Sequence, residues 1–400
     1  MKTRLDRKIV TGLIIAGVAF RLLLLFVIPK YPEVSTLPSY KDEPSHLQYI
    51  EYVANEKKIP VYKSTDVDST AHLNRQFTQP PLYYIACAPL YKIGELMHSG
   101  WGLYGARLMS ILFGMIAAYF AYLMALAYSR SQIVGISVLA AMLMAPNAAI
   151  FTTLATNDAL LVCTASLAMF QIVRIRCGDQ SLIRQVLVSV FLALTVYTKL
   201  SGILLFPLIW FAADPKSKIS TQWLTRTRIA MFSLILLIPL TLWSQQNYGQ
   251  IFPGQDLEIQ VQSQSEQAVG FLRVAILNPI NTVVIFLRTI PQPFTELWGS
   301  NLERITTVCW LLFWGALTLL GIIQGLYERP GASLFIASVV MMTAGFIYWS
   351  FYSSHIEFRL FIPAFPALAF LTALGMEQLK ISPAAQVVAW CLPILISIWL

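Results

Sequence analysis

Two adjacent carboxylates, Asp42 and Glu43, lie just after the first apolar stretch of the chain, and His46 follows one helical turn later. Side chains of these types can move protons or bind a divalent cation, and here they would do so where lipid meets water. The alternative is structural, because an aspartate in a solvated loop often begins a helix. The pair alone does not decide between the two interpretations.

Further polar groups recur in segments that are otherwise apolar, and each also has a structural explanation. Asn157 and Asp158 could cap the helix that follows them. Lys199 could extend its amine to the membrane edge. Arg359 could pair with Glu357. The full set comprises Asp42, Glu43, His46, Gln79, Asn157, Asp158, Lys199, Glu296 to Gly299, His355 and Arg359.

The composition assigns the chain to the membrane. Hydrophobic residues make up 57% and charged residues 12% of the 400, and many apolar stretches approach the length that spans a bilayer as a helix. The net charge of +8 comes from scattered lysines and arginines, which argues against a nucleic-acid partner. The five cysteines form no CxxC pair and indicate neither a zinc site nor a disulfide framework.

We therefore predict an all-α polytopic membrane protein with about 11 transmembrane helices in a single domain, 1–400. The first apolar span resembles a signal peptide, but no small-residue cleavage site follows it, so we expect a retained first helix. The predicted spans are 8–28, 104–128, 132–154, 158–175, 184–198, 200–213, 229–247, 305–326, 332–351, 360–378 and 384–400.

The stretch 79–97 could either span the membrane or lie at its surface. If the N-terminus is cytoplasmic and 79–97 does not cross, the short basic loops fall on the cytoplasmic side, as membrane proteins prefer. We therefore expect an interfacial helix there, inside a first outer loop at 29–103. A second large outer loop covers 248–304. This topology places all the polar groups named above on one outer face.

Carboxylates and cations on one face could serve a reaction between an anionic lipid and a nucleophile. The cations would hold a phosphate through charge-assisted hydrogen bonds. A carboxylate would take the proton of an acceptor hydroxyl.

The motifs, taken in order, resemble those of the GT-C superfamily of integral-membrane glycosyltransferases, which includes protein O-mannosyltransferases and lipid A aminoarabinose transferases. The resemblance covers nearly the whole chain. It rests on Asp42-Glu43-Pro44-Ser45-His46, Gln79-Pro80-Pro81-Leu82-Tyr83-Tyr84, Asn157-Asp158, Thr198-Lys199-Leu200-Ser201-Gly202 and Arg359-Leu360-Phe361-Ile362-Pro363-Ala364-Phe365-Pro366.

The resemblance implies a GT-C-like bundle and a sugar donor linked to a polyprenyl phosphate. Transfer to a lipid, glycan or protein acceptor would occur on the extracytoplasmic side, with inversion, in a bacterial inner membrane. By position, Asp42 would be the general base, and Glu43 its partner or a ligand of Mg²⁺ or Mn²⁺. Asp158 matches the second acidic position of the family and would orient the acceptor or assist the base. The residues expected to bind substrate are His46, Gln79, Asn157, Lys199, His355 and Arg359, with Lys199 and Arg359 on the lipid phosphate.

Two departures from the family pattern matter. Some relatives carry a lysine or histidine where this chain has Gln79, so a charged phosphate contact would be lost there. Larger members also use a soluble C-terminal domain, absent from this sequence, to recognise acceptors.

The main alternative function is a lipid or glycan transporter, or flippase, that breaks no bond. A non-catalytic assembly subunit is a third interpretation.

Overall fold

The computed structural model describes residues 4–29, 42–61, 74–252, 303–328, 332–352 and 358–390, and every regular element in these ranges is helical. The α-helices are α1 (Arg4–Val27), α2 (Glu43–Glu56), α3 (Leu82–Met97), α4 (Gly102–Ser129), α5 (Gln132–Met144), α6 (Pro146–Phe151), α7 (Asp158–Arg176), α8 (Leu182–Thr198), α9 (Ile219–Tyr248), α10 (Glu303–Glu328), α11 (Ser333–Tyr352) and α12 (Phe365–Gln378). Short 3₁₀ helices cover Asn74–Thr78, Leu200–Phe211 and Phe358–Ala364, and 383–390 is again helical.

The helices confirm a multi-pass membrane protein. Within the described ranges, five helices are long and apolar enough to cross a bilayer, and five shorter apolar helices accompany them. These ten segments correspond to the predicted spans from the first to 360–378. The eleventh, 384–400, is helical as far as residue 390 and then leaves the described residues.

The bundle is built around α7. In its apolar window 83% of the residues are buried, against 28% in α1 and in α9. It packs mainly against α4 and α8. Both ends of α7 are therefore held by several neighbours, and its N-terminal end carries Asp158.

The predicted span 132–154 is interrupted. The helix α5 ends at Met144, Ala145 is extended, and α6 begins at Pro146, whose ring nitrogen has no hydrogen to continue the ladder. The buried Arg21 of α1 donates to the carbonyl oxygens of Met142 and Leu143, both at 2.8 Å. A cation at a helix C-terminus satisfies free carbonyls and suits the helix dipole, so Arg21 stabilises this break.

The helices α2 and α3 of the first predicted outer loop pack on each other, and α3 also lies along α4. At Gly105 of α4 a β-carbon would collide with the carbonyl of Leu90, so the two backbones touch. With 16 residues, α3 is not among the helices that qualify as candidate spans. Its interfacial placement stays a prediction.

A second close approach joins α10 to α12. A β-carbon at Gly321 would overlap the carbonyl oxygen of Leu371, and one at Gly375 would overlap that of Leu317. Two glycines on facing helices thus bring the backbones into contact, as small residues do in membrane bundles.

Candidate active site

The Glu43 side chain is buried and fully engaged. Arg107 of α4 donates to both of its carboxylate oxygens, from Nε at 2.9 Å and from Nη2 at 2.6 Å. The amide of Ala155 donates to Oε1 at 2.7 Å. Glu43 is 2% exposed and Arg107 is not exposed at all, so this is an ion pair removed from water. It ties the start of α2 to α4 and to the segment before α7.

Arg107 also joins this pair to the end of α1. Its guanidinium donates to the carbonyl oxygens of Ile28 at 3.0 Å and of Pro29 at 2.9 Å. A buried charge needs such complete hydrogen bonding to be tolerated. Four segments that are distant in the sequence thereby meet at one point, directly beside Asp42.

Asp42 occupies the N-cap position of α2. Its backbone carbonyl accepts the first helical hydrogen bond, from the amide of His46 at 3.1 Å. Its carboxylate does not cap the helix, although capping was the structural explanation for this residue. The side chain is partly exposed. It is thus held next to the buried Glu43 while reaching solvent.

His46 begins a buried aromatic cluster between α2 and α3. Its Nδ1 lies 2.8 Å from the hydroxyl of Tyr84, and the Tyr84 ring stacks on that of Tyr49 with centroids 3.6 Å apart. Burial raises the pKa of Tyr84 well above its usual value, and the charges of Asp158 and Asp42 raise it further. The Tyr84 phenol therefore stays neutral and can exchange a hydrogen bond with His46.

Asp158 and Lys199 form a second group where α7 begins and α8 ends. Lys199 Nζ donates to Asp158 Oδ1 at 2.8 Å, with Asp158 1% and Lys199 18% exposed. The neighbouring Asn157 is fully buried, and its Nδ2 donates to the carbonyl of Thr198 at 3.2 Å. Its Oδ1 is buried and accepts no hydrogen bond from any of the described residues.

The two groups lie near each other. The Tyr84 phenol is close enough to both Asp42 and Asp158 for each carboxylate to raise its pKa. The bond from Ala155 to Glu43 also fixes the segment before α7 against α2. Residues that follow α1 and residues at the α7 and α8 ends therefore lie close together. The side of the membrane that they face stays a prediction.

Three predicted site residues are not brought into this cluster by side-chain contacts. Gln79 contributes through its backbone, since its carbonyl accepts a bond from the Tyr49 hydroxyl at 3.4 Å. Arg359 lies in the 3₁₀ helix Phe358–Ala364, but its side chain is outside the described residues. His355 is outside them entirely. In the described ranges no group of three His, Cys, Asp or Glu side chains lies close enough together to hold a metal ion.

Two residues of this candidate site, Arg107 and Tyr84, are not predicted from the sequence. Arg107 is a charged residue within an apolar span, which by itself marks a site that needs a partner. Tyr84 was part of a recognised motif, but nothing in the spacing indicated that its hydroxyl would meet His46. The missing information was in both cases a contact between distant segments.

No known family model matches the sequence, and no curated protein matches it significantly. Solved structures share its fold, among them two of ArnT. The structure of ArnT from Cupriavidus metallidurans bound to undecaprenyl phosphate superposes with a TM-score of 0.55 at 16% identity, over 94% of this chain and 61% of that one. The apo structure of the same protein gives 0.50 at 15% identity, over 96% of this chain and 62% of that one.

These comparisons show that the chain shares the all-α membrane fold of the ArnT structures. The chain spans about three fifths of the length of the ArnT structures. At this level of identity the likeness concerns the fold.

Proposed function

We propose that the protein transfers a sugar from a polyprenyl-phosphate donor to an acceptor hydroxyl, with inversion, on the extracytoplasmic face of a bacterial inner membrane. One observation carries the proposal: two acidic groups and a cation from distant segments share one face of a GT-C-like bundle. The ArnT structure with undecaprenyl phosphate supports this class of donor.

Asp42 is the proposed general base. Its carboxylate reaches solvent from a rigid support, because the adjacent Glu43 is clamped by Arg107 and Ala155. A base must be held within hydrogen-bonding distance of the hydroxyl that it deprotonates. His46 and Tyr84, one turn away on α2 and on α3, would complete the wall on which the acceptor rests.

Lys199 is the proposed partner of the donor phosphate. One of its three N–H groups is committed to Asp158, and the Lys199 side chain is 18% exposed, so the other N–H groups can reach a ligand. A cation placed at the leaving phosphate stabilises charge that grows in the transition state, so it should affect turnover as well as binding. Asp158 then positions Lys199, while Arg359 and His355 are kept as further phosphate-binding candidates.

Glu43 receives a positioning role in this proposal. Both of its oxygens already accept hydrogen bonds from Arg107, and Oε1 accepts a second from Ala155. A Mg²⁺ or Mn²⁺ ion binding Glu43 would have to displace a buried guanidinium. The proposed chemistry therefore depends on Asp42 and the cations, with no metal assigned to Glu43.

The test is transfer or hydrolysis by the purified protein in lipid, using a panel of radiolabelled polyprenyl-phosphate sugars. Asp42→Asn should lower the rate by about 10²–10⁴-fold, the usual contribution of a general base. The control is Glu56→Gln, which removes an exposed acid from the same helix and should leave the rate unchanged. Full activity in Asp42→Asn would exclude the assigned base.

The same preparation separates the transporter alternative from the enzyme. Movement of the labelled lipid between leaflets without release of the sugar would favour a flippase and contradict the proposal. Sugar release that disappears in Asp42→Asn but persists in Glu56→Gln would support the transferase.

A further inference from the structure

The molecule carries an apolar groove at the opposite end of α7 from the candidate active site. It has a volume of about 580 Å³ and lies between the 3₁₀ helix Leu200–Phe211, the first turns of α9 and α11. Its walls include Trp210, Phe211, Trp223, Ala230 and Met341. It shares no residue with the Asp42 or Lys199 groups.

Arg226 of α9 is the one charged residue among those lining this groove. Its guanidinium carbon lies 4.5 Å from the ring centroid of Trp210 and 5.6 Å from that of Trp223. Its Nη2 donates to Gln222 at 3.4 Å, while its Nε is buried and has no hydrogen-bond partner among the described residues. A buried donor without a partner is costly, which indicates a ligand that accepts from it.

A second arginine adds to the positive charge. Arg176, the last residue of α7, donates to the carbonyl of Phe211 at 3.2 Å and is near enough to Arg226 for the two charges to repel. Asp214 attracts Arg176, but within the described ranges neither arginine forms an ion pair with a carboxylate. An anion between the two guanidinium groups would relieve this repulsion.

The position of the groove selects the source of that anion. The 19 residues of α7 run from Asp158 to Arg176 and cover about 28 Å, close to the thickness of a bilayer core. The groove is therefore one bilayer away from Lys199, at the other membrane surface. Tryptophan rings and arginines are the residues that anchor proteins at that level, where phospholipid headgroups lie.

We propose that this groove binds an anionic phospholipid of the leaflet opposite the candidate active site. The lipid phosphate accepts hydrogen bonds from Arg226 and Arg176, and an acyl chain fills the apolar trough past Ala230 and Met341. The rings of Trp210 and Trp223, which meet edge to face, hold the Arg226 guanidinium in place. This lipid is distinct from any sugar donor, because it enters from the other leaflet.

Native mass spectrometry of the delipidated full chain tests the proposal. It compares phosphatidylglycerol with phosphatidylcholine of the same acyl chains. Wild type should retain phosphatidylglycerol at about five- to thirtyfold lower concentration than phosphatidylcholine, because each of one to two cations at a headgroup contributes about 1 kcal/mol. Arg226→Gln should abolish this preference. Arg228→Gln removes the same charge from an exposed position two residues along the helix and should keep it.

A second variant keeps the positive charge of Arg226 and fills the apolar groove. Ala230→Trp fills the trough while leaving Arg226 in place, and it should lower phosphatidylglycerol retention at least as much as Arg226→Gln does. Equal binding of the two lipids by wild type would overturn the proposal. So would equal losses in Arg226→Gln and Arg228→Gln, because these would indicate only a diffuse positive surface.

Discussion

Replacing Glu43 by glutamine should destabilise the protein strongly, because it leaves the Arg107 guanidinium buried without a counter-charge. The pair is almost completely removed from water, and Glu43 accepts two of the hydrogen bonds that Arg107 donates. Breaking a buried pair by removing one partner costs about 3–5 kcal/mol, far more than an exposed pair would. We expect a loss of that size in the free energy of unfolding.

The complementary change, Arg107→Met, should cost a similar amount because it leaves a buried carboxylate with only the Ala155 amide as donor. The double variant Glu43→Leu/Arg107→Met removes both charges together. Its loss should fall about 2 kcal/mol or more below the sum of the single losses, as contacting charged residues are coupled. Carbonyls of α1 that accept from Arg107 lose their donor, so the double variant does not return to wild-type stability.

The assay is unfolding by sodium dodecyl sulfate in mixed micelles, followed by tryptophan fluorescence and circular dichroism. Glu56→Gln, on the exposed side of the same helix, is the matched control and should change stability by less than about 0.5 kcal/mol. A Glu43→Gln variant within 1 kcal/mol of wild type would refute the argument. A stable but inactive Glu43→Gln would return Glu43 to a direct catalytic role.

Three further changes have distinct expected results. Lys199→Met should lower the kcat of the proposed transfer and leave Asp158 buried without its cation, so both turnover and thermal stability should fall. An unchanged kcat would exclude Lys199 from the reaction. Gly321→Ala should destabilise the fold by about 1–3 kcal/mol, because the new β-carbon would collide with a carbonyl of α12. Gly315→Ala, where a β-carbon meets open space, should not destabilise it. Equal melting temperatures of the two variants in calorimetry would contradict this packing. Burial raises the pKa of Tyr84 in the folded state, so the contribution of the neutral phenol to stability is present below pH 10 and is lost as the pH rises above it. Tyr84→Phe should therefore flatten the decline in unfolding free energy between pH 9.5 and 11. An unaltered slope would argue against a buried phenol.

Most of the helical architecture could be predicted because bilayer spans are long apolar runs. Ten of the predicted spans correspond to observed helices, although α9 begins at Ile219, ten residues before the predicted span. The break between α5 and α6 is the instructive difference. The sequence shows Pro146 inside an apolar stretch, but proline is tolerated in membrane helices when another group takes up the freed carbonyls. Here that group is Arg21, more than a hundred residues earlier, and the contact cannot be seen locally.

Some residues of the candidate site could be predicted from the sequence, but their contacts could not. Asp42, His46, Asp158 and Lys199 were found because polar residues are rare in this chain. Which of them are buried and paired is a property of contacts between segments: the pairing of Asp158 with Lys199 could not be assigned from spacing. The positioning role that we propose for Glu43 likewise rests on a partner in another helix, Arg107.

The glycine contacts between α10 and α12 set a limit on how a long lipid can reach the bundle interior. Where Gly321 and Gly375 place two backbones against each other, no hydrocarbon tail can slide between them. The contact between Gly105 and the Leu90 carbonyl closes the border between α3 and α4 at that level in the same way. At these two places the paired helices leave no gap through which a lipid could pass. The polyprenyl chain of the proposed donor would therefore enter the bundle between another pair of helices, and the width of that entrance would limit which lipids can bind.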